Sequence, residues 1–165
     1  MVQPLLLDSN FFIEAYRGSY PFDVVPSFWL KVKELAENGL IISIDKVQKE
    51  LNLNKDDLSQ WCADNLPHDF FKDTSQIIGS YATLASWVYS KSGQYTASAI
   101  SEFLDASEAD AWLVAFAMTN GNQIVTHEVS SPNSKSRVKL PDAASPHNVQ
   151  CLKTVDMFRL LGVTI

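Results

Sequence analysis

Four carboxylates, Asp8, Glu50, Asp110 and Glu128, fall where a chain of this kind can do chemistry. Asp8 closes the apolar run Leu5-Leu6-Leu7, and Glu128 follows the run Ile124-Val125-Thr126. Both have the places of residues at the carboxyl ends of buried strands, and in open parallel sheets ligands bind beyond those ends, where the strand order reverses. Asp110 shares a helical face with Leu113, Val114 and Ala117, while Glu50 lies beside the apolar stripe of Val47 and Leu51. Two carboxylates about 5 Å apart repel by roughly 3 kcal/mol at an effective dielectric near 20. A cluster of three or four, with no Lys or Arg in its own motifs, therefore requires protons or a cation. Oxygen-only ligands suit a hard divalent ion such as Mg²⁺ or Mn²⁺. Such an ion lowers the pKa of bound water and neutralises charge developing on a phosphate, so phosphodiester hydrolysis is the reaction this pattern points to.

Taken singly, each residue also has an ordinary role. Asp8 can cap the helix after its strand, and Glu50 can be a solvated helix glutamate. Asp110 can belong to a capping box begun by Ser107, and Glu128 can be a loop residue. Order and spacing together favour the joint reading. His127 alternates to the opposite face from Thr126 and Glu128 if the strand extends that far. Lys135, Arg137 and Lys139 can contact phosphates from a basic loop, or equally be solvated charges. Glu102, Asp105 and Asp142 read as solvated loop charges. Trp29, Trp61, Trp87 and Trp112 read as core, with Trp61 partly exposed, and Cys62 and Cys151 as free, core or semi-buried thiols.

Positioning the carboxylates requires a scaffold, and the chain alternates strand and helix signals. Leu5–Leu7 is a continuous apolar run of the kind expected for a strand buried on both faces; Leu40–Ile44, Gln123–Thr126 and Val149–Leu152 are further strand candidates, as is the terminal Gly162–Ile165. Helices are predicted over Phe11–Tyr16, Phe28–Glu37, residues 55–65, residues 74–90, a strongly apolar segment opened by Ser107-Glu108-Ala109-Asp110 and running to Thr119, and Val155–Leu161. Asp45 with Gln48 forms a capping-box pattern for the helix that carries Glu50. Residues 129–148, rich in Ser and Pro, read as a loop. Strands alternating with helices imply an α/β fold with a parallel sheet covered on both faces.

The bulk composition agrees with one globular domain over residues 1–165. Of the 165 residues, 46% are hydrophobic and 19% charged, far from the signature of disorder. No apolar run approaches the roughly 18 residues needed to span a bilayer, and the Met1-Val2-Gln3-Pro4 start lacks a basic signal-peptide region. A cytoplasmic protein is expected. The net charge of −6 runs against bulk attraction to nucleic acid, which clustered basic residues and bound metal can offset.

The four motifs resemble those of the PIN-domain ribonucleases. The family pattern of an apolar strand ending in Asp and a hydroxyl residue appears as Leu5-Leu6-Leu7-Asp8-Ser9-Asn10, and its helical glutamate as Val47-Gln48-Lys49-Glu50-Leu51. The aspartate opening an alanine-rich helix appears as Asp110-Ala111-Trp112-Leu113-Val114-Ala115-Phe116-Ala117, and the closing strand as Ile124-Val125-Thr126-His127-Glu128. The resemblance implies a three-layer α/β/α sandwich and Mg²⁺- or Mn²⁺-dependent cleavage of single-stranded RNA. It extends to small bacterial toxin-type (VapC-like) members, implying a cognate antitoxin and a homodimer, for which an apolar helix pair within residues 55–90 is a candidate interface. It also implies that Asp8, Glu50 and Asp110 are metal ligands, that Ser9 and Asn10 support them, and that Thr126 orients the acidic corner. Glu128 takes a fourth acidic place that is more often Asp in the family. Ser130 stands where a further Asp is frequent.

Two rivals follow from the same residues. A haloacid-dehalogenase-type phosphatase needs a second Asp two residues after the first, and Asn10 occupies that place. A PIN-like module acting by protein binding, with weak or no nuclease activity, is favoured by Glu128 and the acidic net charge.

Overall fold

Leu5-Leu6-Leu7 carries no polar side chain because it touches no solvent. In the computed structural model, which describes residues 2–165, these three residues form strand β1 and are buried throughout. β1 pairs in parallel with β2 (Ile41–Ile44) on one side, Leu5 opposite Ile41, and with β4 (Ile124–Val125) on the other, Leu6 opposite Ile124. The short strands β3 (Phe71–Lys72) and β5 (Cys151–Leu152) extend the two sides, giving the order β3-β2-β1-β4-β5 with every pairing parallel. The order reverses between β1 and β4, so the switch point of the sheet lies between the residues that follow those two strands.

Nine α-helices connect the strands among the described residues. α1 (Ser9–Glu14) continues as a π-helical turn over Ala15–Ser19, and α2 (Pro26–Glu37) leads to β2. α3 (Asp45–Leu53) and α4 (Asp57–Asn65) precede β3. α5 (Ile78–Ser90), α6 (Ala97–Phe103) and α7 (Asp110–Asn120) lie between β3 and β4, α8 (Leu140–Ala144) between β4 and β5, and α9 (Thr154–Leu161) follows β5. Because parallel crossovers are right-handed, connections moving outward on opposite sides of β1 place their helices on opposite faces. α2 and α3 accordingly pack on β2, while α7 packs on β4 together with α5 and α8. The result is the three-layer α/β/α sandwich.

α7 shows why the layers close. Ala111, Leu113, Val114, Ala115, Phe116 and Ala117 are all buried, so this helix is apolar nearly all round and is covered on every side. Gly121 ends it at φ 77°, a left-handed conformation that a side chain would strain. On the other face Phe11, Phe12, Phe28 and Phe70 form an aromatic core, Phe12 meeting Phe11 edge-on at 5.1 Å, and α9 joins it through Phe158 against Phe28.

Several local expectations are corrected. The Asp45 carboxylate does not cap α3; it accepts from the Thr74 amide and hydroxyl at 3.3 and 2.8 Å. Residues 129–148 are not all loop, since Leu140, Ala143 and Ala144 bury the face of α8 and a 3-10 turn follows at Ser145–His147. Gly162–Ile165 is not a strand: Gly162 adopts φ 66°, and the Gly162 and Val163 amides are spent on Arg159 and Phe158 carbonyls of α9. β3 escapes sequence reading because it is two residues long, and α6 because its seven residues follow a turn-rich segment. Within residues 55–90, α4 packs against α3 and α5 against α7, leaving Ile78 and Tyr89 exposed on α5.

Phe12→Ala should destabilise the protein by about 3–5 kcal/mol, the usual cost of emptying an aromatic site in a packed core. Urea unfolding at unchanged m-value measures it; a loss below about 1 kcal/mol would contradict the packing described.

Candidate metal centre

Asp8, Asp110 and Glu128 converge at the switch point. One carboxylate oxygen from each lies within 4.8 Å of the others. Three elements bring them there: Asp8 ends β1, Asp110 begins α7, and Glu128 leaves β4. Asp8 is buried, and the Glu128 side chain is only 10% exposed.

Thr126 organises this corner. Its hydroxyl donates to Asp8 Oδ2 at 2.9 Å while accepting from the Glu128 amide at 3.1 Å and the Asn10 side-chain amide at 3.2 Å. A hydroxyl has one proton, and of its two possible acceptors Asp8 Oδ2 at 2.9 Å is nearer than Asn10 Oδ1 at 3.3 Å and carries the charge. Asn10 Oδ1 in turn accepts from the His127 amide at 3.1 Å, and Ser9 donates to Asp8 Oδ1 at 3.3 Å. Ser9 and Thr126 thus contact Asp8 directly, and Asn10 contacts Thr126. Asn10, committed to bracing the end of β4, is not aimed outward as an acid would be. Asp8 makes no side-chain cap on α1; its oxygens are taken by Thr126 and Ser9.

Glu50 is held differently. Its Oε1 accepts from the Ala109 amide at 2.9 Å, at the start of α7, where the helix dipole favours negative charge. Glu50 stands outside the tight group of three, but its charge reaches both aspartates. No capping box precedes Asp110, because the Ser107 hydroxyl donates to Asp105 instead.

Burial, opposed by the Thr126 bond and reinforced by Glu128 and Glu50, pushes the Asp8 carboxyl up from 3.8 to about 6. Asp110 is raised well above its ordinary value, first by burial and then by Asp8, Glu128 and Glu50, with Arg137 acting against the rise. Glu108, two residues before Asp110, is raised by burial and then by Glu50. Three like charges at one point would not persist without positive charge nearby.

Part of that charge comes from the chain itself. Arg137 Nη2 stands 3.8 Å from Asp110 Oδ2 and its Nε 3.6 Å from Glu128 Oε1, with Lys139 Nζ 3.9 Å from the same oxygen. The motifs themselves hold no Lys or Arg, but the strap from Lys135 to Lys139 brings Arg137 and Lys139 beside the carboxylates. Lys135 itself points into solvent. The signal for Arg137 and Lys139 was the polar-apolar alternation through Arg137-Val138-Lys139-Leu140, whose apolar members are buried. Even so, Glu128 Oε1 is buried and has no hydrogen-bond partner. Three hard carboxylate donors converging at one point, one of them with a buried oxygen that accepts no hydrogen bond, fit a divalent ion such as Mg²⁺ or Mn²⁺.

The remaining candidates are placed elsewhere. His127 turns away, its Nε2 3.0 Å from the Thr154 hydroxyl. Glu102 and Asp105 are exposed, whereas Asp142 accepts from the Ser130 hydroxyl and, at 2.7 Å, from the Ser131 amide. Trp29 is buried, and Trp61, Trp87 and Trp112 are partly so. Trp87 lines an open groove of about 1010 Å³ with Lys91, Ser130 and Gln150; none of the four carboxylates lines it. Cys62 is buried and Cys151 partly buried, both unpaired, and burial pushes both thiols up to about 12. No helix among the described residues is long and apolar enough to cross a membrane.

Residues 5–165 match the family described as "Domain of unknown function (DUF4411)", and the chain belongs to it. No curated protein and no solved structure matches the chain.

A carboxyl whose folded pKa lies above its unfolded value binds more protons in the folded state, so stability falls as pH rises between the two values. For Asp8 the window runs from 3.8 to about 6, and about two units correspond to roughly 3 kcal/mol. In EDTA, wild-type protein should lose stability from pH 4 to pH 7. Asp8→Asn should be more stable than wild type at pH 7 and nearly equal to it at pH 4. Thermal melts across this range test the claim, and an Asp8→Asn protein less stable than wild type at pH 7 would refute it.

Proposed function

We propose that this DUF4411 protein is a metal-dependent endoribonuclease of PIN-like type that hydrolyses phosphodiesters in single-stranded RNA. The observation that carries the reading is the convergence of Asp8, Asp110 and Glu128 at the sheet's switch point, with Glu128 Oε1 buried and accepting no hydrogen bond. Asp8, Asp110 and Glu128 would hold Mg²⁺ or Mn²⁺, with Glu50 beside them, through oxygens of the kind these ions prefer. The ion, when bound, supplies Lewis acidity and an activated water.

The chain's own residues do the positioning. Thr126 fixes the rotamer of Asp8, Glu50 anchors the amino terminus of α7 and with it Asp110, and the β1–β4 pairing sets the distance between Asp8 and Glu128. Such pre-set geometry spares reorganisation when the reacting phosphate arrives. Arg137 and Lys139 flank the carboxylates on a partly exposed edge, where a backbone phosphate would approach. The likeness of the four motifs to toxin-type members extends this reading to a toxin restrained by a cognate antitoxin, with homodimerisation. Its setting on this reading is the cytoplasm.

A second reading has its own support. Arg137 and Lys139 already pair with Asp110 and Glu128, as they would in a PIN-like module that binds a protein partner and has lost catalysis.

Cleavage of a mixed pool of single-stranded RNAs decides between them. Wild-type protein with Mn²⁺ should cleave, and Asp8→Asn and Asp110→Asn should each lower the rate by at least about a hundredfold while remaining folded, as loss of metal ligation implies. Absence of cleavage by the wild type, or cleavage that survives both substitutions, would leave the binding module as the better reading.

A further inference from the structure

The segment from Lys135 to Leu140 is built as a fixed strap. Val138 is buried in the core and Leu140 in the first turn of α8, while Arg137 and Lys139 project together from the alternate positions of an extended backbone. Its near end is pinned: the Thr96 amide donates to the Lys135 carbonyl at 2.9 Å, and the Gln94 side-chain amide donates to the Pro132 and Ser134 carbonyls at 2.6 and 3.0 Å. The two cations are thus held at the site by backbone and core, not by the carboxylates they face.

The contacts between strap and carboxylates are loose. Arg137 approaches Asp110 and Glu128 at 3.8 and 3.6 Å and Lys139 approaches Glu128 at 3.9 Å, and none of these pairs is a hydrogen bond. The Arg137 side chain is 51% exposed, and the Glu128 Oε1 it faces has no hydrogen-bond partner. A structural ion pair at a buried carboxylate would close to hydrogen-bond distance, because the desolvation of the carboxylate is otherwise poorly offset. This pairing supplies charge and leaves the ligand oxygens uncommitted.

We infer that Arg137 and Lys139 are an internal counter-ion for the carboxylate cluster that competes with the divalent cation and, once the cation is held, turns to phosphate oxygens of the substrate. The inference rests on the metal reading given above and adds to it a pair of residues that set metal affinity and phosphate binding in opposite directions. A cation at the carboxylates neutralises the charge that the two side chains face, and the planar guanidinium of Arg137, with five N–H donors, suits a phosphate better than it suits two carboxylates beyond bonding distance.

Mn²⁺ binding, followed by the spin-resonance signal of the free ion at pH 7, tests the first half. Arg137→Gln/Lys139→Gln should bind Mn²⁺ at least about tenfold more tightly than wild type, because like charge is removed beside the ion. The charge-preserving Arg137→Lys/Lys139→Arg should stay within about threefold of wild type, which separates charge from any change in fold. Inorganic phosphate added to the Mn²⁺-loaded proteins tests the second half. Its ³¹P signal should broaden with wild type and markedly less with the Gln pair. Equal or weaker Mn²⁺ binding by the Gln pair, or equal phosphate broadening, overturns the strap and leaves the metal site standing. Absence of Mn²⁺ binding by both proteins overturns the strap together with the metal reading.

Discussion

Like-charge repulsion among three carboxylates in one partly desolvated corner is the constraint around which this molecule is arranged. Asp8 is buried at the end of the central strand, and Asp110 and Glu128 bring an oxygen within 4.8 Å of it. Burial and mutual repulsion act in the same direction on Asp8 and Asp110, raising both carboxyls. What holds them is geometry imposed from outside: β1 cannot retreat because it pairs on both sides, and α7 cannot slide because its apolar surface is covered nearly all round. The apolar core stabilises the chain, and the carboxylate corner uses up some of that stability.

Local polar chemistry then softens the constraint in three distinct ways. Thr126 directs its proton at Asp8 while receiving from Glu128 and Asn10, so one buried hydroxyl serves both strands at the switch point. The amino end of α7 presents partial positive charge to Asp110, and the Ala109 amide takes up Glu50. The strap brings two full positive charges to 3.6–3.9 Å without hydrogen-bonding to the carboxylate oxygens. The first orients, the second favours anions, and the third neutralises. A net charge of −6 describes the whole surface and says little of this corner, where Arg137 and Lys139 stand beside the carboxylates.

Much of this was readable from the residues in order. Leu5–Leu7 could only be a strand buried on both faces, and Asp110–Ala117 could only be a covered helix, since neither offers a polar face to solvent. Asp8 and Glu128 were placed at strand ends by the same runs. Capping was misread at Asp45, and the capping roles open to Asp8 and Ser107 are not taken, because each found a hydrogen-bond partner other than its own helix start: Thr74, Thr126 and Asp105. Strand signals failed at both extremes, with β3 too short to show a period and Gly162–Ile165 apolar but turned back by a left-handed glycine.

The sequence by itself determined the alternation of elements, the parallel sheet and the identity of the acidic residues, because apolar periodicity and local turn chemistry are properties of neighbouring residues. Tertiary structure alone decided which of the carboxylates meet. Asp8, Asp110 and Glu128 share a point because β1 and β4 are adjacent and α7 begins above them, while Glu50 stops one hydrogen bond short at Ala109. It alone decided that Arg137 and Lys139, more than 100 residues from Asp8 in the chain, supply the charge the cluster needs. Coulombic interaction depends on separation in space, and no local pattern encodes a distance between residues that only the folded sheet brings together.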